Sequence, residues 1–281
     1  MSKALKTVCA GLLLLYSATC SAQQGKADEQ LVKQVMQKSG LSKQIEQFPS
    51  MIQADIIRAN QESSDKLSQS EINDLSNKVA ESFNARKLND TVQMHIQENL
   101  PEKDIRAVLE WLSSPLGERI SMLEEQASKL EAYKGIREMA GRIDKNSERT
   151  KLLSKLDNAR KATDVGVSLT INLQVAFILA VTAGMPAEQR PSVEAILAEV
   201  NEDRQQLQKS IRQETLAGFL YTYRSLKDAE IEQYIAFAES EAGKKYHVVT
   251  AEGLNTAVMQ ASLALGSKLS QGLDKEGRSS F

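Results

Sequence analysis

The sequence predicts an all-α protein made of two tandem, duplicated helical units that pack together, each closing on a Ser-x-x-Gly corner between two helices. Three observations carry this expectation. The composition, with 5 prolines, 14 glycines, 5% aromatic residues and an excess of Ala, Leu, Glu, Gln, Lys and Ser, favours helices over strands. Apolar residues recur every third or fourth position, and no convincing alternating strand is present. Finally, WLSSPLGERI (residues 111–120) and FAESEAGKKY (residues 237–246) superimpose without a gap, 126 residues apart.

Residues 1–22 read as a secretory signal peptide. Lys3 and Lys6 precede an apolar run from Val8 to Tyr16, and Cys20-Ser21-Ala22 supplies small residues at an A-x-A-like cleavage site. A bacterial periplasmic product is the expected destination. The alternative is a lipoprotein anchored at Cys20, although Ser17, Ala18 and Thr19 make a poor lipobox. Cys9 and Cys20 are the two cysteines of the chain, so cleavage after Ala22 would remove disulfides, thiolate nucleophiles and cysteine metal sites together. The formal net charge is −2 and no basic tail or patch stands out, which argues against a nucleic-acid partner.

The first unit is expected over residues 23–147. A polar leader to residue 30 gives way to helical spacing at Leu31, Val35, Leu41, Ile45, Phe48 and Ile52, with Pro49 marking a kink or a helix start. Ser68 and Glu71 have the spacing of a capping box before Ile72, Leu75, Val79 and Phe83. Leu88, Val92 and Ile96 continue the stripe towards a short helix from about Pro101 to Leu112, whose first turn is acidic through Glu102 and Asp104.

The repeated motif reads as an αα-corner. Ser114 precedes Pro115, the pair expected at an N-cap and a first helical position, and Ser240 takes the same role before Glu241. Gly117 and Gly243 then lie about one turn in, where a missing side chain lets two helices approach closely. A duplicated catalytic site should repeat its reactive groups, and these do not repeat. His95 matches Tyr221 and His247 matches Ser121. Both histidines are expected at the surface or in a groove, without metal-ligand spacing. Neither serine lies in G-x-S-x-G, and the acidic first turns are read as responses to the helix dipole. The sequence therefore points to no catalytic, cofactor-binding or metal residue.

The helix with an acidic first turn followed by aromatic-x-x-Ser-x-x-Gly-[Lys/Arg]-[Lys/Arg] resembles a bacterial domain-of-unknown-function family of secreted, mostly helical proteins. LKDAEIEQYIAFAESEAGKKY (residues 226–246) is the closer match. LPEKDIRAVLEWLSSPLGERI (residues 100–120) is a diverged copy, with Trp111 for the usual Phe or Tyr and Glu118 for a basic residue. The resemblance implies an envelope location and brings no catalytic residues.

The second unit is expected over residues 148–265. Residues 140–163 read as a charged connection merging into a helix. Residues 165–185 are the most apolar stretch after the leader, and a core helix, a homodimer surface and membrane contact are all open for them, the core being preferred. Ser192 and Glu194 begin a further helix, another follows to about Tyr223, and residues 266–281 lose the stripe and read as a frayed tail. The second unit gathers most of the aromatic residues. Tyr221, Phe237 and Tyr246 are therefore the expected contact for an envelope protein or other envelope component, with core filling as the alternative for the same rings. The function expected is that of a periplasmic binding or scaffold protein without catalytic activity. A membrane-associated factor and an enzyme working through a carboxylate such as Glu230 are the alternatives.

Overall fold

A computed structural model describes residues 26–64, 66–182 and 189–278. The expected signal peptide and Cys20 lie outside these residues. The described chain is all-α: α1 (Glu29–Lys38), α2 (Leu41–Glu62), α3 (Gln69–Ser82), α4 (Ala85–Asn99), α5 (Glu102–Leu112), α6 (Pro115–Ala127), α7 (Ala132–Ala140), α8 (Glu148–Arg160), α9 (Ala162–Thr182), α10 (Val193–Glu202), α11 (Arg204–Thr222), α12 (Asp228–Glu239) and α13 (Glu241–Arg278). It contains no strand among the described residues.

Local chemistry sets most helix starts. Asp28 accepts from the amides of Gln30 and Leu31, and Asn84, Ser147 and Ser192 cap α4, α8 and α10 in the same manner. Ser68 and Glu71 form both halves of a capping box. The first apolar stripe is divided between two helices at Ser39 and Gly40, while Pro49 lies inside α2. The charged segment before residue 163 contains α8, with Leu153 and Leu156 fully buried. The last helix continues to Arg278, past residue 265, and Lys268 pairs with Glu81 across from α3.

Helices pack in the same pattern twice. The contacts of α1 with α5, α2 with α3 and α2 with α4 are matched by those of α8 with α12, α9 with α10 and α9 with α11. The two cores nevertheless do not divide at residue 147. The first contains residues of α1 to α5 together with Tyr246, Val249, Ala257, Val258 and Ala261 of α13. The second takes Ile120 of α6 with Leu153, Leu156, Leu216, Tyr223, Ile231 and Tyr234. At each corner the first helix stays with its own neighbours and the second crosses to the other core. In α9, Val167 and Ile171 are buried and Asn172 donates to Asn255 of α13 at 3.0 Å. Among the described residues no helix is long and apolar enough to cross a membrane.

Candidate functional site

Both corners are built by the same hydrogen bonds. The Ser114 hydroxyl accepts from the Gly117 amide at 3.0 Å and donates to the Trp111 carbonyl at 2.7 Å. Ser240 does the same with Gly243 and Phe237, at 3.0 and 2.7 Å. Each pulled-in carbonyl lies against the glycine, so that a Cβ at Gly117 or Gly243 would overlap the oxygen of Trp111 or Phe237. Serine and glycine are thus one device, because the hydroxyl holds the carbonyl where only glycine leaves room.

The corners face one another. The Trp111 and Phe237 rings stack with centroids 4.7 Å apart and planes 6° from parallel. Arg119, on α6, pairs with Glu230 at 2.8 Å, and Lys245, the residue matching Arg119, pairs with Asp104, the residue matching Glu230, at 3.0 Å. The signature's second basic position therefore holds the acidic first turn of the opposite corner. Glu102 and Asp228, the other first-turn acids, bind Arg106 and Arg149 respectively.

Between the corners lies a cavity of about 210 Å³. Its walls come from matching places in the two halves: Trp111 and Phe237, Ile120 and Tyr246, Ser121 and His247. The joint of α1 with α2 contributes Leu41, and that of α8 with α9 contributes Arg160 and Val165. Those joints contain the positive-φ residues, Gly40 at 71° and Lys161 at 57°. Asp157 fixes the second joint, accepting from the Thr163 amide at 2.8 Å and its hydroxyl at 2.6 Å. Arg160 is thereby aimed into the protein at the end of α8.

The polar groups of the cavity do not match across the halves. Glu124 and Arg160 form an ion pair at 2.8 Å, with 16% and 22% of their side chains exposed. Oε1 of Glu124 also accepts from the hydroxyls of Tyr223 at 2.5 Å and Tyr234 at 2.9 Å. Burial, and after it the Glu124 carboxylate, pushes the Tyr223 hydroxyl well above its ordinary pKa. Burial does the same for Tyr234, against the opposing charge of Arg160 and with the support of Glu124. Burial works against the charge of Arg160, but Glu124 and the tyrosine hydroxyls outweigh it and the net direction is upward. The site thus holds a charged pair flanked by two protonated tyrosines.

Thr250 occupies the place that matches Glu124. Nε of Arg160, Nε2 of His247 and the Thr250 hydroxyl are buried with no hydrogen-bond partner among the described residues. A buried polar atom without a partner costs about 1–3 kcal/mol, so three around one cavity set a demand on whatever occupies it. His247 packs against Phe237 and Tyr246, and burial, followed by the charge of Arg160, lowers its pKa to about 3. It is neutral across the physiological range.

The sequence-predicted residues meet this geometry unevenly. Ser114, Gly117, Ser240 and Gly243 build the corners, and Phe237 and Tyr246 line the cavity. Tyr221 does not reach it. Its ring packs at Gly135 on α7, where a Cβ would collide with it, and beneath Arg224 at 4.1 Å. His95 pairs with Glu252 at 3.4 Å, away from the cavity. Sequence reasoning missed Glu124 and Arg160. The signal available for Arg160 was its place just before the α8–α9 joint, matching Ser39 before Gly40. Compared with known protein families, curated proteins and solved structures, the chain matches none.

Proposed function

We propose that this chain is a non-enzymatic binding protein of the bacterial envelope, formed by tandem duplication of one helical unit, and that the cavity between its two corners holds a small ligand. The observation that carries the reading is the cavity's set of unpartnered buried atoms, Arg160 Nε, His247 Nε2 and Thr250 Oγ1, between aromatic walls. Genuinely empty cavities are apolar, whereas buried polar atoms need a partner, so this cavity calls for an occupant that can accept or donate hydrogen bonds.

Binding is favoured over acid–base chemistry because Glu124 already accepts three hydrogen bonds at Oε1. Glu230, the carboxylate an enzyme reading would use, is bound to Arg119 and to the Lys227 amide. The duplication is supported by the two identical corners, the reciprocal ion pairs and the paired helix contacts. Reciprocal contacts of this kind are what a two-fold assembly of one unit produces. The envelope location is supported by the signal-peptide pattern of residues 1–22.

Native mass spectrometry of the protein released from cells by osmotic shock tests the reading. A retained small-molecule mass is expected on a polypeptide beginning at Gln23, lost when Ala251→Trp fills the cavity that Ala251 lines. Bare polypeptide in both samples, together with no thermal shift across a metabolite panel, would sink the binding role. A lipid mass on Cys20 would replace the periplasmic assignment with a membrane-anchored one.

A further inference from the structure

We propose that the cavity takes a small monocarboxylate with an apolar, ring-sized body, its carboxylate on the Nε edge of Arg160 and on His247, and its body against Trp111, Phe237 and Leu254. This rests on the reading of the cavity as a binding site and adds the chemical class of the ligand.

The class follows from which atoms are spare. A guanidinium carries five donors in a fixed fork suited to two-oxygen acceptors. The hydrogen bonds from Arg160 leave through Nη1, to Glu124 and to the Tyr223 hydroxyl, while Nε is buried without a partner. His247 Nε2 and the Thr250 hydroxyl, also unpartnered, line the same cavity, and each can donate. Three spare donors on residues lining one cavity suit an acceptor with several lone pairs in one plane, which a carboxylate has and a single carbonyl has not.

Charge selects the same class. Glu124 balances the Arg160 charge through Nη1 and accepts from two tyrosine hydroxyls at the same oxygen, which leaves the Nε edge as a spare donor. Across the cavity, His247 feels the positive charge of Arg160 as the second cause, after burial, of its low pKa. The imidazole therefore stays neutral and donates without adding a second positive charge. The Glu124–Arg160 pair carries no net charge, so the spare donors suit a monoanion better than a phosphate dianion, whose second charge nothing in the cavity would balance.

Size limits the body. An engineered cavity of about 150 Å³ accepts benzene. About 210 Å³ leaves room for a ring and a carboxylate, and not for a peptide or a dinucleotide. The walls offered to the body, Trp111, Phe237, Ile120, Val165 and Leu254, are apolar.

The test is titration calorimetry on the full chain at pH 7 with benzoate, phenylacetate and 3-phenylpropanoate, each beside its primary amide, and with acetate and sulfate as ionic controls. We expect at least one aryl carboxylate to bind about tenfold or more tightly than its amide. His247→Phe, which keeps a ring and removes the donor, should weaken that carboxylate about fivefold or more and weaken the amide less. Equal binding of acids and amides, or binding of acetate and sulfate as tight as that of the aryl acids, overturns the carboxylate assignment while the cavity stands as a binding site. Binding of none of the panel also overturns it. The broader binding reading then fails separately, and only when the retained-ligand and metabolite-panel measurements are blank as well.

Discussion

Gly40 and Lys161 hold the same backbone conformation, with φ at 71° and 57°, at the joints that bring α1 against α2 and α8 against α9. Both joints deliver residues to the cavity, but a left-handed conformation is open to glycine and costs a side-chain-bearing residue about 1–2 kcal/mol. Because the Lys161 side chain is exposed, Lys161→Gly changes little besides the backbone. It should stabilise the protein by about 1 kcal/mol, a rise in melting temperature of about 2–4 °C. Gly40→Ala should lower it by a similar amount although its Cβ would meet only ordinary contacts, the nearest at 3.5 Å. An unchanged melting point for both variants would contradict the strain.

The corner glycines are expected to behave differently from a glycine in open space. Gly117→Ala and Gly243→Ala must push a carbonyl away from its serine, and each should cost about 3 kcal/mol. Gly218 on α11 has nothing within 4 Å of a built Cβ, so Gly218→Ala should stabilise by about 0.5–1 kcal/mol. Denaturant melts of the three variants read the difference directly. A corner glycine that tolerates alanine as well as Gly218 does would remove the close approach from the account.

Breaking the Glu124–Arg160 pair from one side should be worse than removing it whole. Glu124→Gln leaves the Arg160 charge without its counter-ion and should cost about 3–5 kcal/mol. Glu124→Met combined with Arg160→Met should recover much of that loss, since no charge is left buried. A double-mutant cycle with strictly additive effects would show that the two residues do not interact.

His247 makes stability depend on pH in a defined window. Its folded pKa, about 3, is below the unfolded value near 6.5, so as pH falls the unfolded chain takes the proton first. Stability attributable to this group is therefore full above about pH 6.5 and falls by about 1.4 kcal/mol per pH unit below it, reaching about 2 kcal/mol by pH 5. Chemical denaturation of wild type and His247→Phe at pH 7 and pH 5 measures the difference, and the variant should lose less. Parallel slopes would mean that the imidazole is exposed.

The sequence carried the scaffold better than the chemistry of the cavity. Capping at Ser68, Ser114, Ser192 and Ser240, and the corner at Gly117 and Gly243, depend on neighbours within a turn or two and could be read from spacing alone. Glu124 and Arg160 gave no such sign. Glu124 stands beside Glu125 on an ordinary charged helix, and Arg160 ends a segment whose many charges suggested a solvated connection. Their burial comes from α6 and α8 meeting α11 and α12, and helical periodicity cannot encode which partner a face will meet. Tyr221 lies apart from Phe237 and Tyr246 for a related reason: grouping aromatics by half-chain ignores that helix faces separate them, and its face turns to α7.

The exchange of second helices between the cores bears on how the chain acquires its structure as it is made. The core begun by residues 27–112 is closed by residues 246–261, more than a hundred residues further along the chain. An emerging chain that normally completes its N-terminal part first here has to hold the apolar faces of α1 to α5 open until α13 arrives. Those contacts span more than a hundred residues of sequence, which slows their formation relative to the local helices. Vectorial delivery, whether from a ribosome or across a membrane, thus leaves α1 to α5 waiting for α13, and a chain truncated before residue 246 would carry an unfinished core.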